Sequence, residues 1–494
     1  MTTFRNRRAL AGAVALSLAC VAGAQVVRSA AEVVREGDPV AGMPGWSIAG
    51  INTPFTNTDG TVGFTGSIVG ETTINYVWYD TGIVWLNTDA APAFILSGAE
   101  DTSGVGANGA FLYSTAATPA GGTSEDAVWS HLGLVARGTE QIPGLEDRFY
   151  VACSRTTMFG ANFGAFVSTT STTAGGSTTG RALMRWNPTD GATVVFKTGD
   201  VVFPAPDDFA IAFASPTIAF AYDFSDNGLH HVHLIGLVTG STANDAYIYK
   251  DGMPLLREGS LVPGTTIDER WQNFSGMSIN NDGTSLVFGD TSGPAAADAF
   301  LAVNGDITLR EGESTVGGVL LDFGSSCLGA SINNLGRVVH VWNVASSTNR
   351  TVFAGDVTNL AAGCAIVAHG DQLDITGDGA GDRVVTNIQV SQTTSPGLDL
   401  AEDGVVYIRM ETTDLLGTDE QTGIYRFSTS CPAACDPDFN QDGNVDQDDI
   451  ACLAQVVAGD PACSPVDPDF NRDGNVDQDD IAALEQVVAG AECP

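Results

Sequence analysis

Two short glycine elements alternate along most of this chain, and this repetition constrains the fold more than any other feature of the sequence. The first is an apolar pair, one or two polar residues and Gly. The second is Asn or Asp, one or two residues, Gly, and then alternating apolar residues. Each occurs seven times, strictly in turn, and consecutive second elements are 49 to 68 residues apart. The first elements end at Gly37, Gly98, Gly138, Gly199, Gly259, Gly312 and Gly370, and the second are centred on Gly60, Gly109, Gly164, Gly228, Gly283, Gly336 and Gly404. A fixed period of this length indicates a repeat architecture.

Each period has room for about four short strands. Residues 284–288, which follow a second element, alternate as a β-strand does and lack helical periodicity. A third strand follows, as at 246–249, and the turn Lys250-Asp251-Gly252 leads into the strand that ends at Arg-Glu-Gly. With the strand between the two glycine elements, roughly four antiparallel strands fill one period, which is the size of a propeller blade.

The two ends of the repeat region predict that it closes into a ring. The last period stops at residues 423–427, before its final strand, and residues 32–36 have the sequence of the missing strand. Pairing the first strand with the last removes exposed sheet edges. We therefore predict an all-β fold, a seven-bladed β-propeller closed by its N-terminal strand. Six and eight blades are the alternatives, because the copies at 98–109 and 138–164 are degenerate.

The repeat region, residues 32–428, resembles the tandem Asn-x-x-Gly repeat proteins of unknown function that occur beside cell-surface anchor modules in secreted bacterial proteins. That resemblance implies no activity. Four segments rich in Ser, Thr, Gly and Ala follow the second element and would project from one rim of a propeller. They are either binding loops or low-complexity linkers, and they span residues 114–125, 168–180, 239–245 and 290–298.

The C-terminal region carries a calcium-loop pattern twice, at residues 438–449 and 469–480, 31 residues apart and differing only at Gln441 and Arg472. A twelve-residue EF-type loop takes oxygen ligands from positions 1, 3, 5, 7, 9 and 12 and needs Gly at position 6. Both copies meet these requirements, with Asp rather than Glu at position 12. We expect two Ca²⁺ sites whose affinity differs from that of the usual loop.

A short helix should follow each loop. Apolar residues recur there at helical spacing and end at Gly459 and Gly490 as C-terminal caps. Prolines before both loops prevent a helix from entering them, so each unit is loop-then-helix. The two helices would bury their apolar stripes on each other, and these stripes comprise Ile450, Leu453, Val456 and Val457 in the first copy and Ile481, Leu484, Val487 and Val488 in the second.

Residues 431–494 thus resemble a dockerin domain, specifically the extracellular bacterial kind in which cysteines flank the repeats. The resemblance implies calcium ligands at Asp438, Asn440, Asp442, Asn444, Asp446 and Asp449, and at Asp469, Asn471, Asp473, Asn475, Asp477 and Asp480, with Asn444 and Asn475 binding through backbone carbonyls. It also implies docking onto a partner through loop positions 10 and 11, which are Gln447 with Asp448 and Gln478 with Asp479. Many dockerins carry small hydroxyl residues there, so we expect a cohesin-like module or another cell-surface receptor.

The N-terminus predicts export. Arg5, Arg7 and Arg8 precede an apolar run at 9–24 that ends in a small-x-small cleavage pattern, typical of a secretory signal cut before Gln25. Lipid attachment at Cys20 is the alternative. We expect a protein that is secreted or held at the surface of a bacterium, with no membrane span. Its domains would be a signal peptide (1–24), a propeller-like repeat domain (25–430) and a dockerin-like domain (431–494).

Charge and cysteine content agree with that compartment. The net charge is −38, and it becomes −41 without the three arginines of residues 1–24, which excludes a general nucleic-acid or anionic-membrane binder. Eight cysteines remain after cleavage, an even number that suits disulfides in an oxidising compartment. We expect Cys452 to pair with Cys463. The others cannot be paired from the sequence.

The repeat domain offers no catalytic residue that stands out. Glu36, Glu258 and Glu311 recur at one blade position, which indicates a strand-end contact rather than a glycosidase acid. His231 and His233 would share one face of a strand, where they either hold a metal or pack and hydrogen-bond. A truncated calcium loop with Asp374, Asp378 and Asp382 is either a weak third Ca²⁺ site or a Gly-rich acidic turn.

We therefore expect a non-catalytic, calcium-binding, dockerin-anchored propeller that acts in extracellular attachment or binding, with glycan as a possible ligand. The alternative is an extracellular polysaccharide-degrading enzyme, an O-glycosyl hydrolase or a lyase, delivered by its dockerin. That alternative requires an acid pair near the central channel. A third hypothesis is a surface or matrix component in which the propeller associates with itself.

Overall fold

The computed structural model describes residues 26–56, 60–89, 94–97, 104–160, 162–202, 210–211, 221–238, 241, 243–265, 268–321, 324–344, 349–390, 397–431, 437–440, 444–458, 470, 476 and 478–489, the last without the side chain of Asp479. The signal segment expected at residues 1–24 lies outside these ranges.

Seven sheets of four or more strands account for most of this described chain. In sheets 1 to 6 the four main strands follow one another along the sequence, and each is antiparallel to its neighbour. Sheet 1 comprises Ser47–Ile51, Val62–Val69, Thr73–Tyr79 and Gly82–Leu86; sheet 2 comprises Phe94–Ser97, Leu112–Pro119, Glu125–Ser130 and Gly133–Arg137; sheet 3 comprises Phe149–Phe159, Phe163–Ser171, Gly180–Asn187 and Gly191–Lys197. Sheet 4 comprises Ala221–Phe224, His231–Gly236, Ala246–Lys250 and Met253–Arg257; sheet 5 comprises Trp271–Ile279, Ser285–Thr291, Ala299–Val303 and Asp306–Arg310; sheet 6 comprises Cys327–Ile332, Arg337–Asn343, Arg350–Asp356 and Asn359–Ala368.

Sheet 7 joins the two ends of the repeat region. Its main strands are Arg383–Ile388, Val405–Asp414, Gln421–Ser428 and, from the N-terminus, Ala31–Arg35. Ala31 lies opposite Arg426, and Arg35 lies opposite Gly423, in antiparallel register. The predicted pairing of the first strand with the last is therefore confirmed.

Shorter elements complete the described chain. Phe55–Thr56 pairs with the second main strand of sheet 1, and Leu398–Leu400 pairs with the second main strand of sheet 7. The remaining short elements are the parallel pair Val27–Ser29 and Gln372–Asp374, the hairpin Thr315–Val316 and Val319–Leu320, and the 3₁₀ turns Asn87–Asp89 and Ala107–Gly109.

Apolar clusters pack each sheet against the next, in chain order, and the seventh sheet against the first. In the closing cluster, Val34, Tyr407 and Ile424 of sheet 7 contact Ile48 and Phe64 of sheet 1. Strands inside a sheet are covered on both faces, so Ser285–Thr291 is buried at nearly every position. Such sheets, stacked side by side, form a propeller-like arrangement.

The C-terminal region forms two short helices, Gln447–Val457 and Gln478–Val488. Asp446 caps the first helix, accepting a hydrogen bond from the Asp448 backbone N–H. The helices share one buried apolar cluster with Phe439 and Phe470, to which Ile450, Leu453, Ile481 and Leu484 contribute. Both expected helices and their mutual packing are confirmed, whereas the caps expected at Gly459 and Gly490 lie outside the described residues.

One disulfide links the repeat region to the start of the tail. Cys364, on the outermost strand of sheet 6, is bonded to Cys431, three residues beyond the strand that ends at Ser428. Cys452 is also disulfide-bonded, and its expected partner Cys463 lies outside the described residues. The Cys153 and Cys327 side chains are buried. In the part of the chain that is described, no helix is long and apolar enough to cross a membrane.

Candidate functional site

The Asn-x-x-Gly turns connect the first and second main strands of the sheets and hold their inner ends together. The Asn280 side chain closes its own turn, because its Oδ1 accepts from the Asp282 and Thr284 backbone N–H groups at 3.1 and 2.9 Å. Its Nδ2 donates to the Asn333 carbonyl of the next sheet at 3.1 Å. Asn333 repeats both roles and donates to the Ala401 carbonyl at 3.0 Å. One amide thus serves its own turn and the neighbouring sheet.

Backbone N–H groups of the turns extend this chain of hydrogen bonds. From the second turn position, the Asn281 N–H donates to Asn334 Oδ1 at 2.7 Å, and the Asn334 N–H donates to Glu402 Oε1 at 3.0 Å. In sheet 4 the third turn residue, Asn227, takes this part, and its N–H donates to Asn281 Oδ1 at 2.9 Å. The bonds therefore run from sheet 4 through sheets 5 and 6 to sheet 7, which explains why the element recurs.

The turn glycines adopt positive φ, as the second element requires, with one correction. The glycines at 60, 109, 228, 283, 336 and 404 have φ between 67° and 80°, a region that only glycine adopts at little cost. Gly164, expected at the centre of the third copy, instead lies inside the strand Phe163–Ser171. Gly160, with φ of 62°, stands in the turn before that strand.

A cavity of about 190 Å³ lies where the first strands of the sheets converge. Six of the seven sheets contribute to its wall, and the lining residues fall within 53–56, 157–159, 222–226, 277–280, 330–334 and 398–402. Four of them are acids: Asp223 and Asp226 from the edge of sheet 4, and Asp399 and Glu402 from sheet 7.

Backbone and side-chain donors hold the two inner acids in place. Asp223 accepts from the Ile279 N–H at 2.9 Å and from the Phe224 N–H at 3.0 Å. Asp399 accepts from the Ser331 hydroxyl at 2.8 Å and from the Thr56 N–H at 2.9 Å. Both are enclosed by protein, yet each keeps part of its surface open to the cavity.

The two outer acids share a single amide donor. Asn334 Nδ2 donates to Asp226 Oδ2 at 3.3 Å and also to Glu402 Oε1. Asp226 belongs to the turn of sheet 4, Asn334 to that of sheet 6 and Glu402 to that of sheet 7. The amide therefore bridges turns that are far apart in the sequence.

Burial raises the pKa of all four acids. Loss of solvation raises the pKa of Asp223 to about 7 and that of Asp226 to about 6, and the charge of Asp399 raises both further. Burial also raises the pKa of Asp399 and that of Glu402 above their ordinary values. Near neutral pH the cavity therefore holds carboxyl groups that can either give up or accept a proton.

These acids were missed by reasoning from the sequence, although the sequence contains a signal for them. They occur as Asp223 with Asp226 and as Asp399 with Glu402, at the same two positions of the fourth and seventh copies of the second element. The fifth and sixth copies carry Ser278 and Ser331 at the first of these positions and asparagine at the second. Acids that break a repeat indicate a local role, by the same logic that assigns the recurring glutamates to structure.

Two of the three recurring glutamates, Glu258 and Glu311, make the strand-end contact that was predicted for them. Glu258 Oε2 accepts from the Asp245 and Ala246 N–H groups at 3.1 and 3.0 Å, at the start of the third strand of its sheet. Glu311 Oε2 accepts from the Ala299 N–H at 3.4 Å, at the equivalent position of the next sheet. Both sites lie away from the central cavity lining.

His231 and His233 pack and hydrogen-bond, which is one of the two interpretations given for this pair. His233 Nε2 lies 2.8 Å from His231 Nδ1, and the His233 ring is buried against Phe196 and Phe224. Burial lowers the pKa of His231 and holds that of His233 well below its ordinary value.

The four Ser/Thr-rich segments occupy equivalent places, each near the connection between the second and third strands of sheets 2 to 5.

In the first calcium loop, the position-12 carboxylate folds back over the loop. Asp449 is fully buried, and its oxygens accept from the Asn440 N–H at 3.0 Å and the Asp446 N–H at 2.8 Å. Each carboxylate oxygen has a second lone pair, so these bonds leave capacity for a cation. Asp438 and Asn444 are also among the described residues, whereas Asp442 is not.

In the second loop, Asp480 is fully buried as well. The other ligands expected there lie outside the described residues, and they are Asp469, Asn471, Asp473, Asn475 and Asp477. Of the partner-binding residues, Gln447, Asp448 and Gln478 are exposed at the start of their helices, and the side chain of Asp479 is outside the described part. The expected ligands are oxygen donors, the kind that calcium takes, and calcium binding stays a prediction.

The third calcium loop is a turn whose carboxylates face its own backbone. Asp374 accepts from the Gly377 and Gly379 N–H groups at 2.7 and 2.9 Å, and Asp382 accepts from the Ile375 and Thr376 N–H groups at 2.7 and 2.9 Å. These backbone bonds lower the pKa of Asp382. Among the described residues, this loop included, no three His, Cys, Asp or Glu side chains form a group that could hold a metal ion.

The fold and the cavity together define an all-β, propeller-like protein with acids at the point where its sheets converge. A model of the family of unknown function DUF7453 matches residues 25–404, and the chain belongs to that family. No curated protein sequence is similar enough to this chain to count as a match.

Several solved structures are distantly similar in fold. One of two prolyl endopeptidases has 11% identity and a TM-score of 0.39 over 78% of this chain and 50% of its own, so this chain spans about half its length. An oligogalacturonate lyase in complex with manganese has 12% identity and a TM-score of 0.33 over 78% and 98%. The N11 neuraminidase-like protein of A/flat-faced bat/Peru/033/2010 has 10% identity and a TM-score of 0.31 over 82% and 99%. Similarity at this level supports no inference about activity.

Proposed function

We propose that this chain is a secreted bacterial protein in which a calcium-dependent, dockerin-like tail attaches a seven-bladed propeller to a partner at the cell surface. The seven sheets, their consecutive packing and the closing strand Ala31–Arg35 support the propeller. The apolar run at 9–24 supports export.

The observation that carries this proposal is the buried carboxylate at the end of each calcium loop. Asp449 and Asp480 are both 0% exposed, at the same position of two helices that pack on each other. Burying a carboxylate is costly unless a cation or several donors compensate. A calcium ion in each loop would supply that positive charge and make folding of the tail depend on calcium.

The starts of the two helices supply the docking face in this proposal. Gln447, Asp448 and Gln478 are exposed there. Because the same residue types stand at positions 10 and 11 of both loops, each half of the tail would offer the same contacts to a cohesin-like module or another surface receptor.

The disulfide gives the tail a fixed origin on the propeller. Cys431 is bonded to Cys364 of sheet 6, and Thr429, two residues earlier, donates its N–H to the Gly404 carbonyl of a sheet 7 turn at 2.9 Å. Two neighbouring sheets thus hold the chain where it leaves the ring. A partner bound to the tail would therefore lie at a restricted position relative to the propeller.

Calcium titration of the full chain tests the proposal. We expect calorimetry to show two sites, and one site each in Asp449→Asn and Asp480→Asn. Asp448→Asn, an exposed change in the same loop, should keep both. Binding to a panel of immobilised cohesin modules should then require calcium and be lost in chelator. Absence of calcium binding at millimolar concentration would overturn the proposal.

A second candidate function is extracellular polysaccharide degradation, and the four acids of the central cavity favour it. Asp223 and Asp226 have pKa values near neutrality, as an acid–base pair for glycosidic cleavage requires. The test is a polysaccharide screen for released reducing or unsaturated ends, with Asp223→Asn as the inactive control. No release from any neutral, amino or acidic glycan would exclude this candidate.

A further inference from the structure

The wall of the central cavity carries charge of one sign only. Asp223, Asp226, Asp399 and Glu402 line it, and its wall, all of it within the described residues, includes no Lys, Arg or His. Each of the four acids has a raised pKa because burial removes its solvation, and the charge of Asp399 adds to the rise for Asp223, Asp226 and Glu402. The cavity is therefore complementary to a cationic ligand and repels anionic ones.

A bare metal ion does not match this arrangement. The acids come from two separate sheets, and no three acidic, histidine or cysteine side chains in the described chain are grouped as metal ligands. Metal–oxygen distances of about 2.0–2.6 Å need such convergence. A ligand that contacts the acids of sheet 4 and those of sheet 7 must instead span the space between them, as an organic cation with several N–H donors can.

The remaining wall suits the apolar body of such a ligand. Phe55, Phe159, Tyr222 and Phe224 bring aromatic carbon to the cavity, and Met158 and Met277 add thioether groups. Aromatic rings attract cations and also bury hydrocarbon. Pockets for drug-sized ligands measure roughly 300–1,000 Å³, so a cavity of about 190 Å³ selects a smaller molecule.

The outer pair of acids shows how an ammonium group would be held. The Asn334 amide nitrogen now donates to both Asp226 and Glu402. A primary ammonium carries three N–H donors and a full charge, so it would satisfy the same two carboxylates more strongly than the neutral amide does.

We propose that the central cavity is a binding site for a small protonated primary amine, held between the acids of sheets 4 and 7. This goes beyond attachment through the tail and is independent of it. If the second candidate function holds, the same chemistry narrows its substrates to glycans with free amino groups and excludes acidic glycans.

Amine binding should release protons, because a cation beside the acids lowers their pKa. Asp223 and Asp226 titrate near pH 7 and 6, so at pH 6.5 part of each population is protonated before binding. The released protons make the calorimetric enthalpy depend on the ionisation enthalpy of the buffer. Binding to acids that are already ionised would show no such dependence.

The experiment is calorimetry on the full chain at pH 6.5 with saturating CaCl₂, so that the tail loops are filled. The probes are 1,4-diaminobutane and n-butylamine, with n-butanol, glucose and glucuronate as neutral and anionic comparisons. Asp226→Asn keeps the size and an acceptor for Asn334, and should weaken amine binding about tenfold or more. Asp282→Asn removes one charge from an exposed position of a neighbouring turn, and should change affinity less than about twofold.

We expect both amines to bind with proton release and the comparison compounds not to bind. No heat from either amine at millimolar concentration would overturn the proposal, and so would butanol binding as tightly as butylamine. Glucose binding in place of amines would overturn it and favour the polysaccharide candidate. Glu402→Gln serves as a second variant if Asp226→Asn melts at a lower temperature. Because the tail sites are titrated separately with calcium, failure here leaves the docking proposal standing.

Discussion

At the scale of single residues, asparagine stands at the first position of the sheet 5 and sheet 6 turns because it both accepts and donates. Asn333 Oδ1 accepts from the Leu335 and Arg337 N–H groups at 3.1 and 3.0 Å, while its Nδ2 bonds the next sheet. Aspartate could close the turn but could not donate to a carbonyl. In sheet 4 the hydroxyl of Ser225 takes over, accepting from the His230 N–H at 3.0 Å.

Replacing the side-chain donor of Asn333 should lower the stability of the folded protein. Asn333 is buried, so Asn333→Asp would place a carboxylate oxygen against the Ala401 carbonyl, where neither oxygen can donate a hydrogen bond. We expect a loss of at least about 2 kcal/mol in the free energy of unfolding, measured by urea titration in saturating calcium. Asn359→Asp, at an exposed position of the outermost strand of sheet 6, should cost less than about 0.5 kcal/mol. Equal losses in the two variants would contradict the role of the inter-sheet bond.

A buried histidine gives the domain a defined sensitivity to acid. His340 is fully buried, accepts from the Trp342 indole N–H at 2.9 Å and stacks on Phe353. Loss of solvation lowers its pKa to about 3. The unfolded chain binds a proton below about pH 6.5 and the folded chain does not, so this stability is present above pH 6.5 and is lost as the pH falls towards 3.

The expected size of this stability loss follows from the 1.5 pH units between the unfolded-state pKa of about 6.5 and pH 5. Between pH 7 and pH 5 the wild-type protein should lose about 2 kcal/mol more than His340→Gln does, measured by urea unfolding at both pH values. His369→Gln, at an exposed position, should follow the wild type. An identical pH dependence of all three proteins would show that His340 does not carry this effect.

At the scale of elements, the two C-terminal helices are too short to persist by themselves. Each has eleven residues, and isolated helices below about 12–15 residues are marginal in water. Their stability rests on one shared apolar cluster and on loops whose buried carboxylates require compensation. With the calcium sites proposed above, removal of calcium should therefore unfold the tail and leave the sheets intact.

Hydrogen exchange measures this separation directly. In the full chain with calcium, we expect slow exchange of the amides of Gln447–Val457 and Gln478–Val488. In chelator both helices should exchange as unfolded chain, while the peptides of Ser285–Thr291 and Arg337–Asn343 keep their protection. Asp448→Asn should show the same exchange as wild type. In Asp449→Asn, the helix of that loop, Gln447–Val457, should lose its protection even in the presence of calcium. Helix protection that persists in chelator would refute the coupling.

At the scale of the whole molecule, a single strand from the N-terminus completes the sheet that joins the two ends of the repeats. Ala31–Arg35 pairs with Gln421–Ser428, and Val34 lies in the cluster between sheets 7 and 1. Without this strand, sheet 7 would expose the edge of Gln421–Ser428 and part of that cluster. Exposed edges promote association between chains.

Two truncations separate this role from simple shortening. A chain that begins at residue 37 lacks the closing strand, and we expect it to melt at a markedly lower temperature and to aggregate in light scattering. A chain that begins at residue 31 keeps the closing strand but loses Val27–Ser29, which adds a short parallel pair at the other side of the sheet. It also loses the Arg28–Asp371 ion pair and Ala30 of the cluster between sheets 6 and 7. It should stay monomeric, with a smaller fall in melting temperature than the shorter chain. Similar behaviour of both chains would argue against closure by pairing.

The local features of the fold could be read from the sequence, because each depends on residues close together in the chain. Strand alternation, turn glycines and the missing strand of the last period predicted the four-stranded sheets and the closing pair. Helical spacing after the calcium loops predicted both helices. The third copy was misplaced at Gly164 because Gly160 and Gly164 lie four residues apart, and only the turn geometry shows which of them needs positive φ.

The sequence alone therefore determined the repeating strands, the pairing of the first strand with the last and the two C-terminal helices, since hydrophobic periodicity and turn chemistry act over a few residues. Only the tertiary structure decided the central cavity and the Cys364–Cys431 bond. Asp223 and Asp399 are far apart in the chain and share a cavity because separate sheets converge there. Burial raises both pKa values, and the charge of Asp399 raises that of Asp223 further. Both effects exist only once that convergence has taken the carboxyl groups out of water.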